Sequence, residues 1–368
     1  MKGSIQKRGT KWRLVVDAAP DPVTGKRRQV IRTVAGGKRT AEDALARLLV
    51  EVGAGQHIGH DATLGQLVDA WLSVARLAGS TRLDYGYARN LIPARLAGTP
   101  CWKVTARDLD ALYVELGRTR GADRVRRVHT IIRRAYGQAI RWGWVARNPA
   151  VDASPPPAPR PAPKPPTTDE VARLVAAVDG DTATWLRLEA VLGARLGEMC
   201  GLRWSDVDLD AGQVTIRRAV AVTKGGLEVK STKTDRERTV ALDAGTVTAL
   251  RAHRRECAER SLALGTPLAA DAYVFARDAA GMTPWRPDSF SRKVRKVRRA
   301  NELGHVQVRS LRHFMITQLL AAGVDVRTVS GRAGHARAST TLDIYAAFVP
   351  ATDRTAADLL GGILGAGG

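Results

Sequence analysis

The chain has 368 residues, too many for one ordinary domain and enough for two or three with cores of their own. Lysine and arginine number 58 against 36 acids, a formal net charge of +22, and the isoelectric point is near 10.8. An excess this large repels itself unless a polyanion offsets it, which favours nucleic acid; a membrane is disfavoured, because no run of about 18 apolar residues exists and the basic "MKGSIQKRGTKWR" is followed by no apolar stretch.

These features predict a cytoplasmic protein. Cys101, Cys200 and Cys257 lie far apart in sequence and read as reduced thiols, since neither a C-x-x-C metal pair nor a disulfide framework is present.

Residues 3–35 alternate apolar and polar positions in "KWRLVVD" and "RRQVIRTVA", and the intervening "AAPDPVTGK" carries the proline and glycine of a turn or longer loop. Then "TAEDALARLLVEVGAG" shows helical spacing behind Thr40, read as an N-cap, and stops at glycine. The expectation is a small basic α+β unit over 1–58.

From Leu64 to Asn148 the pattern is helical: "LGQLVDAWLSVARL", "STRLDYGYARNLI", "TARDLDALYVELGR" and "RVRRVHTIIRRAYGQAIRWGWV" predict an all-α domain of four or five helices over 62–150. Next, "SPPPAPRPAPKPPTT" lacks donors and is locked extended, so 151–166 reads as a semi-rigid linker, with a proline-rich ligand segment as the other reading.

Thr167 and Glu170 then have capping-box spacing ahead of "VARLVAAV", and helices alternate with strand-like "QVTIRRAVAV" and "ERTVAL". The last 200 or so residues are expected to be α+β and mostly helix. The basic stretches "RVRRVHTIIRRAYGQ" and "SRKVRKVRRANE" are candidate phosphate-contacting surfaces, although Val294 and Val297 also suit simple packing of a solvated helix.

Four segments of this half carry chemistry. "GARLGEMCGLRWSDVDLD" contains Arg195 and Glu198, "VRSLRHF" contains Arg309 and Arg312, "GRAGHARASTT" contains His335, and "ASTTLDIYAAF" contains Tyr345. Attack on a phosphodiester builds negative charge on nonbridging oxygens, which planar bidentate guanidiniums match. A tyrosine nucleophile keeps the energy of the broken bond in a phosphotyrosyl link, and adjacent cations favour its phenolate.

The sequence has no G-x-x-x-x-G-K-S/T loop, no H-E-x-x-H and no clustered acids to hold two metals. Neither a cofactor nor a metal is expected.

In order and spacing, Gly193, Arg195, Glu198, Leu202, Trp204, Asp206, Arg312, Gly334, His335 and Tyr345 resemble the tyrosine recombinase (phage-type integrase) family. The resemblance implies an arm-binding unit over 1–58, a core-binding (SAM-like) domain over 62–150, and a catalytic domain of the DNA breaking-rejoining fold over 167–360 with a tail at 346–368. It implies a site-specific recombinase of a phage or other mobile element, acting as a homotetramer on double-stranded attachment sites through a 3′-phosphotyrosyl link. A directionality factor or host DNA-bending protein is a further partner it implies.

By resemblance, Arg195 and Arg312 bind the phosphate, Tyr345 attacks, His335 assists at the phosphate, and a hairpin lysine protonates the leaving 5′ oxygen. Lys233 is the choice over Lys230 and Lys224, because it begins the Lys-Thr before the second strand. Glu198 is expected to orient Arg195 or the local fold.

One position departs from the family. Arg309 stands where a histidine is usual; it cannot act as a base but can bind phosphate. His305 and His313 lack the required spacing and are expected to be structural. The departure keeps open a DNA-binding protein that no longer recombines, and a type IB topoisomerase shares the chemistry. The tail segment "LLGGIL" suits packing on its own domain or docking on a neighbouring protomer.

Overall fold

Alternation in the first 35 residues becomes an antiparallel sheet of β1 (Gly3–Arg8), β2 (Lys11–Ala18) and β3 (Arg28–Ala35), with Leu14 opposite both Ile5 and Arg32. Leu14 and Val16 point inward and bury against Ala41, Leu48 and Val52 of α1 (Lys38–Gly53), as the period of two requires. Thr40 does not cap this helix. Gly36, at φ 128°, turns the chain out of β3, and α1 begins two residues before Thr40, whose side chain packs beside Gly36.

The computed structural model describes residues 3–18, 28–53, 62–157, 165–231 and 237–345. Two compact units divide the chain, Met1–Arg160 and Pro161–Gly368.

The rest of the first unit is helical: α2 (Leu64–Val74), α3 (Gly79–Arg89), α4 (Ala94–Ala97), α5 (Ala106–Thr119), α6 (Ala122–Arg141) and α7 (Pro149–Asp152). Capping boxes start two of them, Thr63 with Gln66 on α2 and Thr105 with Asp108 on α5. The inward face of α6 presents Val125, Val128, Ile131, Ile132, Ala135, Tyr136 and Ala139, all buried, and its arginines take the other side. The start of the proline-rich segment belongs to this unit, since Ser154 N donates to Asp110 Oδ1 at 2.7 Å.

The second unit opens with α8 (Thr168–Ala176), capped as its sequence predicts: Thr167 N donates to Glu170 Oε2 at 2.8 Å and Glu170 N to Thr167 Oγ1 at 3.2 Å. There follow α9 (Gly180–Leu192), α10 (Leu196–Cys200), β4 (Val207–Asp208), β5 (Gln213–Ile216), β6 (Arg218–Thr223), β7 (Gly226–Ser231) and β8 (Arg238–Ala241). Then come α11 (Ala244–Leu262), α12 (Pro287–Ala300), α13 (Val308–Ala321), α14 (Val326–Ala333) and α15 (Ala338–Tyr345).

"QVTIRRAVAV" is two strands rather than one. β5 joins β4 and β8, whereas β6 forms a separate hairpin with β7. The break falls at Arg217, where two successive arginines turn toward one buried carboxylate: Arg218 Nη1 donates to Asp206 Oδ2 at 2.7 Å, and Arg217 Nε lies 3.8 Å from Asp206 Oδ1. The Leu-x-Trp-x-Asp block is therefore a structural anchor, with Leu202 and Trp204 buried and Asp206 gripping the hairpin.

Trp185 of α9 packs on Phe290 of α12 with ring centroids 3.9 Å apart, and Phe275 lies beyond. Beneath this layer Asp181 ties α9 to α11: Arg260 reaches both its oxygens, at 2.9 and 3.1 Å, and His253 Nδ1 lies 3.4 Å from Oδ1. Glu256 brings a second carboxylate near, but with Arg260 on both Asp181 oxygens the group is an ion cluster that holds two helices together.

Candidate active site

α9 ends at Gly193, in the left-handed region at φ 56°. A side chain there would run into Met315, so glycine both stops the helix and lets α13 approach. Arg312 on α13 uses that approach, donating from Nη1 to the Gly193 carbonyl at 2.5 Å.

Two residues on, Arg195 caps α10. Its backbone N–H and its Nη1 both donate to Glu198, at 3.0 and 2.8 Å, and its Nη2 donates to the Gly334 carbonyl at 3.0 Å. Glu198 also accepts Nη2 of Arg238 at 2.6 Å, and Arg238 Nε donates to the Arg332 carbonyl at 3.0 Å. Burial raises the Glu198 carboxyl, but Arg238 and Arg195 outweigh it and hold it below the ordinary value. One carboxylate thus fastens α10, β8 and the end of α14, as Glu198 was expected to do for Arg195.

Gly334 ends α14 at φ 66°, and a side chain would stand 2.8 Å from Arg238 Nη1. The turn delivers His335, whose Nδ1 lies 2.8 Å from Thr341 Oγ1 on α15; Ser330 Oγ lies 2.7 Å from the same hydroxyl. Burial first, then the charges of Arg312 and Arg195, push His335 down to about 4. The ring is neutral at physiological pH.

Arg195, Arg309 and Arg312 line one cleft of about 760 Å³, together with Glu189 of α9 and with Arg295 and Arg298 of α12. Burial, then the Arg195 charge, lowers Arg312 to about 10. Its Nη2 is buried and has no hydrogen-bond partner among the described residues. Arg309 is exposed at the rim.

His305 is structural, its Nε2 3.1 Å from Glu170 Oε1. His313 is closer to the chemistry than its spacing suggested. It follows Arg309 by one turn on α13, is lowered to about 4 by burial and by Arg309 and Arg312, and in turn lowers His335.

Tyr345 is the last residue of α15, one turn after Thr341, and its side chain lies outside the described atoms. Lys233 and the tail at 346–368 lie outside the described residues, and Lys230 is in β7 opposite Ala219.

Residues 166–350, half of the chain, match the phage integrase family. The chain belongs to that family. It is a tyrosine recombinase.

Among relatives, a tyrosine recombinase XerC-like protein of Caldanaerobacter subterraneus is 25% identical over 82% of this chain and 83% of its own. The tyrosine recombinase XerD of Neisseria meningitidis is 30% identical over 70% and 84%, and the ICEBs1 integrase of Bacillus subtilis 24% identical over 71% and 72%. The fold is that of a Tn1549 transposon integrase solved with transposon right end DNA, at a TM-score of 0.66 and 16% identity, covering 81% of this chain and 99% of that one. A lambda integrase dimer bound to a core site gives 0.59 at 15% identity, covering 93% and 94%.

Three residues of this site went unread in the sequence. Arg238 carries no signal, being one base among 58. Thr341 is one of two adjacent threonines, and only the fold selects it. Glu189 did have a signal: it falls one turn after Trp185 on the apolar face of α9, where an acid is out of place.

Proposed function

We propose that this recombinase cuts and rejoins double-stranded DNA at the attachment sites of a phage or other mobile element, through a 3′-phosphotyrosyl link to Tyr345. The supporting observation is the Arg195 guanidinium, fixed by Glu198 on one side and the Gly334 carbonyl on the other, in one cleft with Arg312. Positive charge preorganised in this way meets negative charge as it develops and needs no reorganisation at that moment.

In this reading Arg195 and Arg312 hold the nonbridging oxygens, and Arg309 adds a third phosphate-binding cation at the rim. Neutral His335 hydrogen-bonds the phosphate, and Lys233 protonates the leaving 5′ oxygen. Phenolate attack at phosphorus forms the Tyr345 oxygen–phosphorus bond as the bond to the 5′ oxygen breaks; the reverse attack by a 5′ hydroxyl releases tyrosine.

Residues 1–58 would read arm-type sites with the basic sheet, 62–150 would bind the core site, and 167–360 would perform catalysis, with 151–166 linking the core-binding domain to the catalytic one. A lambda integrase tetramer is known on a Holliday junction, and a homotetramer on DNA is the assembly we propose here, with the tail at 346–368 exchanged between protomers or folded on its own domain. A directionality factor or a host DNA-bending protein would assist, and the site of action would be the cytoplasm.

The test is covalent trapping on nicked suicide duplexes carrying the ends of the encoding element. A protein–DNA adduct on a denaturing gel that is lost in Tyr345→Phe is the expected result; binding without an adduct would support a non-recombining DNA-binding protein, with Arg309 as the first suspect.

A further inference from the structure

Tyr345 is carried on α15, which packs against both α13 and α14. Thr341 lies one turn before the tyrosine and is fully buried. Its Oγ1 stands 2.8 Å from Nδ1 of His335 and 2.7 Å from Oγ of Ser330, a buried residue of α14. One threonine hydroxyl thus joins the helix of the tyrosine to the histidine.

Counting protons along Ser330, Thr341 and His335 gives this chain a direction. A hydroxyl has a single proton to donate and lone pairs to accept, and a neutral imidazole has one N–H and one bare nitrogen. Burial first, then the charges of Arg312 and Arg195, keeps the His335 ring neutral. If Ser330 donates to Thr341 and Thr341 donates to Nδ1, every proton has an acceptor and Nε2 carries the N–H. In the opposite direction Nδ1–H donates to Thr341 and Thr341 to Ser330, whose own proton then has no other acceptor among the described residues. A buried donor left without a partner is costly, so the first direction prevails.

We propose that Thr341 is a positioning residue for His335: its hydroxyl donates to Nδ1, holds the ring in the Nε2–H tautomer, and so readies an N–H for the phosphate. The tautomer of a histidine is set by the hydrogen bond that its other nitrogen makes. With the reverse tautomer, a bare Nε2 would meet phosphate oxygens, acceptor against acceptor. The contact that holds the tyrosine's helix against α14 therefore also prepares the histidine. The inference rests on the phosphate-binding role of His335 proposed above.

The test has two readouts in the full chain. The first is nitrogen NMR with isotope-labelled histidine, in which the His335 signals are those lost in His335→Ala. Nε2 of His335 should be protonated and Nδ1 bare in the unmodified protein, and the two tautomers should exchange in Thr341→Val, which keeps the shape of threonine and removes the hydroxyl. The second is adduct formation on the same nicked duplexes, after melting curves identify folded variants. Thr341→Val should slow the cleavage step by about 10- to 100-fold, as misplacement of a catalytic group does, while the Kd for DNA stays within about twofold. Thr341→Ser keeps the hydroxyl and should restore the rate to within about threefold of the unmodified protein. A tautomer change, a rate effect at constant affinity and rescue by serine are together not what a merely structural residue produces.

A ring protonated on Nδ1 in the unmodified protein would overturn the inference, whether or not the valine variant folds. So would a Thr341→Val variant that cleaves at the rate of the unmodified protein, or a serine variant as slow as the valine one. Should His335→Ala itself form adduct normally, the reading of His335 at the phosphate falls; should His335→Ala be slow while Thr341→Val is normal, only the role of Thr341 falls.

Discussion

Arg195 and Gly334 are 139 residues apart in sequence, yet Nη2 of Arg195 donates to the Gly334 carbonyl at 3.0 Å. The bond joins the segment that begins α10 to the turn that delivers His335, so the first arginine box and the Gly-His pair form one unit rather than two neighbouring features.

That union depends on the shape of Gly334. Gly334→Ala must hold φ near 66° with a Cβ and push Arg238 aside, so it should destabilise the fold by about 1–2 kcal/mol from the backbone alone. The melting temperature should drop by about 2–4 °C for each kcal/mol, and adduct formation should fall further than stability does because His335 moves. An unchanged melting curve would refute the strain argument.

Glu198 is the shared anchor of Arg195 and Arg238. Glu198→Ala should cost about 3 kcal/mol, since removing one partner strands buried charge; the figure is at the low end because Arg195 is 34% exposed and partly solvated. Chemical denaturation measures it. A loss below about 1 kcal/mol would show that water serves both guanidiniums as well as the carboxylate does.

Stability should peak near neutral pH. His313 and His335 are lowered to about 4 in the fold, so an unfolded chain binds protons that the native one refuses, and stability falls as pH drops from about 6.5 to 4. His253 goes the other way: burial opposes its charge, but Asp181, Cys257 and the Val274 carbonyl raise it to about 10. Its contribution is complete below about 6.5 and is lost as pH rises toward 10. Urea midpoints across this range should show the deficit of His253→Gln shrinking at high pH, and a constant deficit would exclude the ion pair.

On α12 the two readings of "SRKVRKVRRANE" fall on different residues. Phe290 and Val294 are buried, Val294 in the wall of the cleft, and Arg295 and Arg298 bring charge to that same cleft. Arg295→Ala should reduce the slope of log affinity against log salt by about 1 with little change in stability. Val294→Ala should do the reverse, destabilising by about 1–3 kcal/mol and leaving the salt slope alone. Equal salt slopes for Arg295→Ala and the parent would sink the contact.

Local rules made the elements legible. The Thr167 and Glu170 cap, the amphipathic face of α6 and the β2 alternation each depend on residues a few positions apart, and each is where the spacing predicts. Thr40 misled because Gly36 had already redirected the chain, and "QVTIRRAVAV" misled because Asp206, distant by strand standards, draws Arg217 and Arg218 out of line.

By itself the sequence determined a basic nucleic-acid enzyme and named Arg195, Arg312, His335 and Tyr345 by order and spacing. Only the tertiary structure decided which of 58 bases stand together. It joined Arg195 to Gly334, gave Glu198 a second partner in Arg238, drew His313 toward His335, and buried Glu189 beside Arg312. The physical reason is that charges act through space and through burial, and neither separation nor exposure is written in the spacing along the chain.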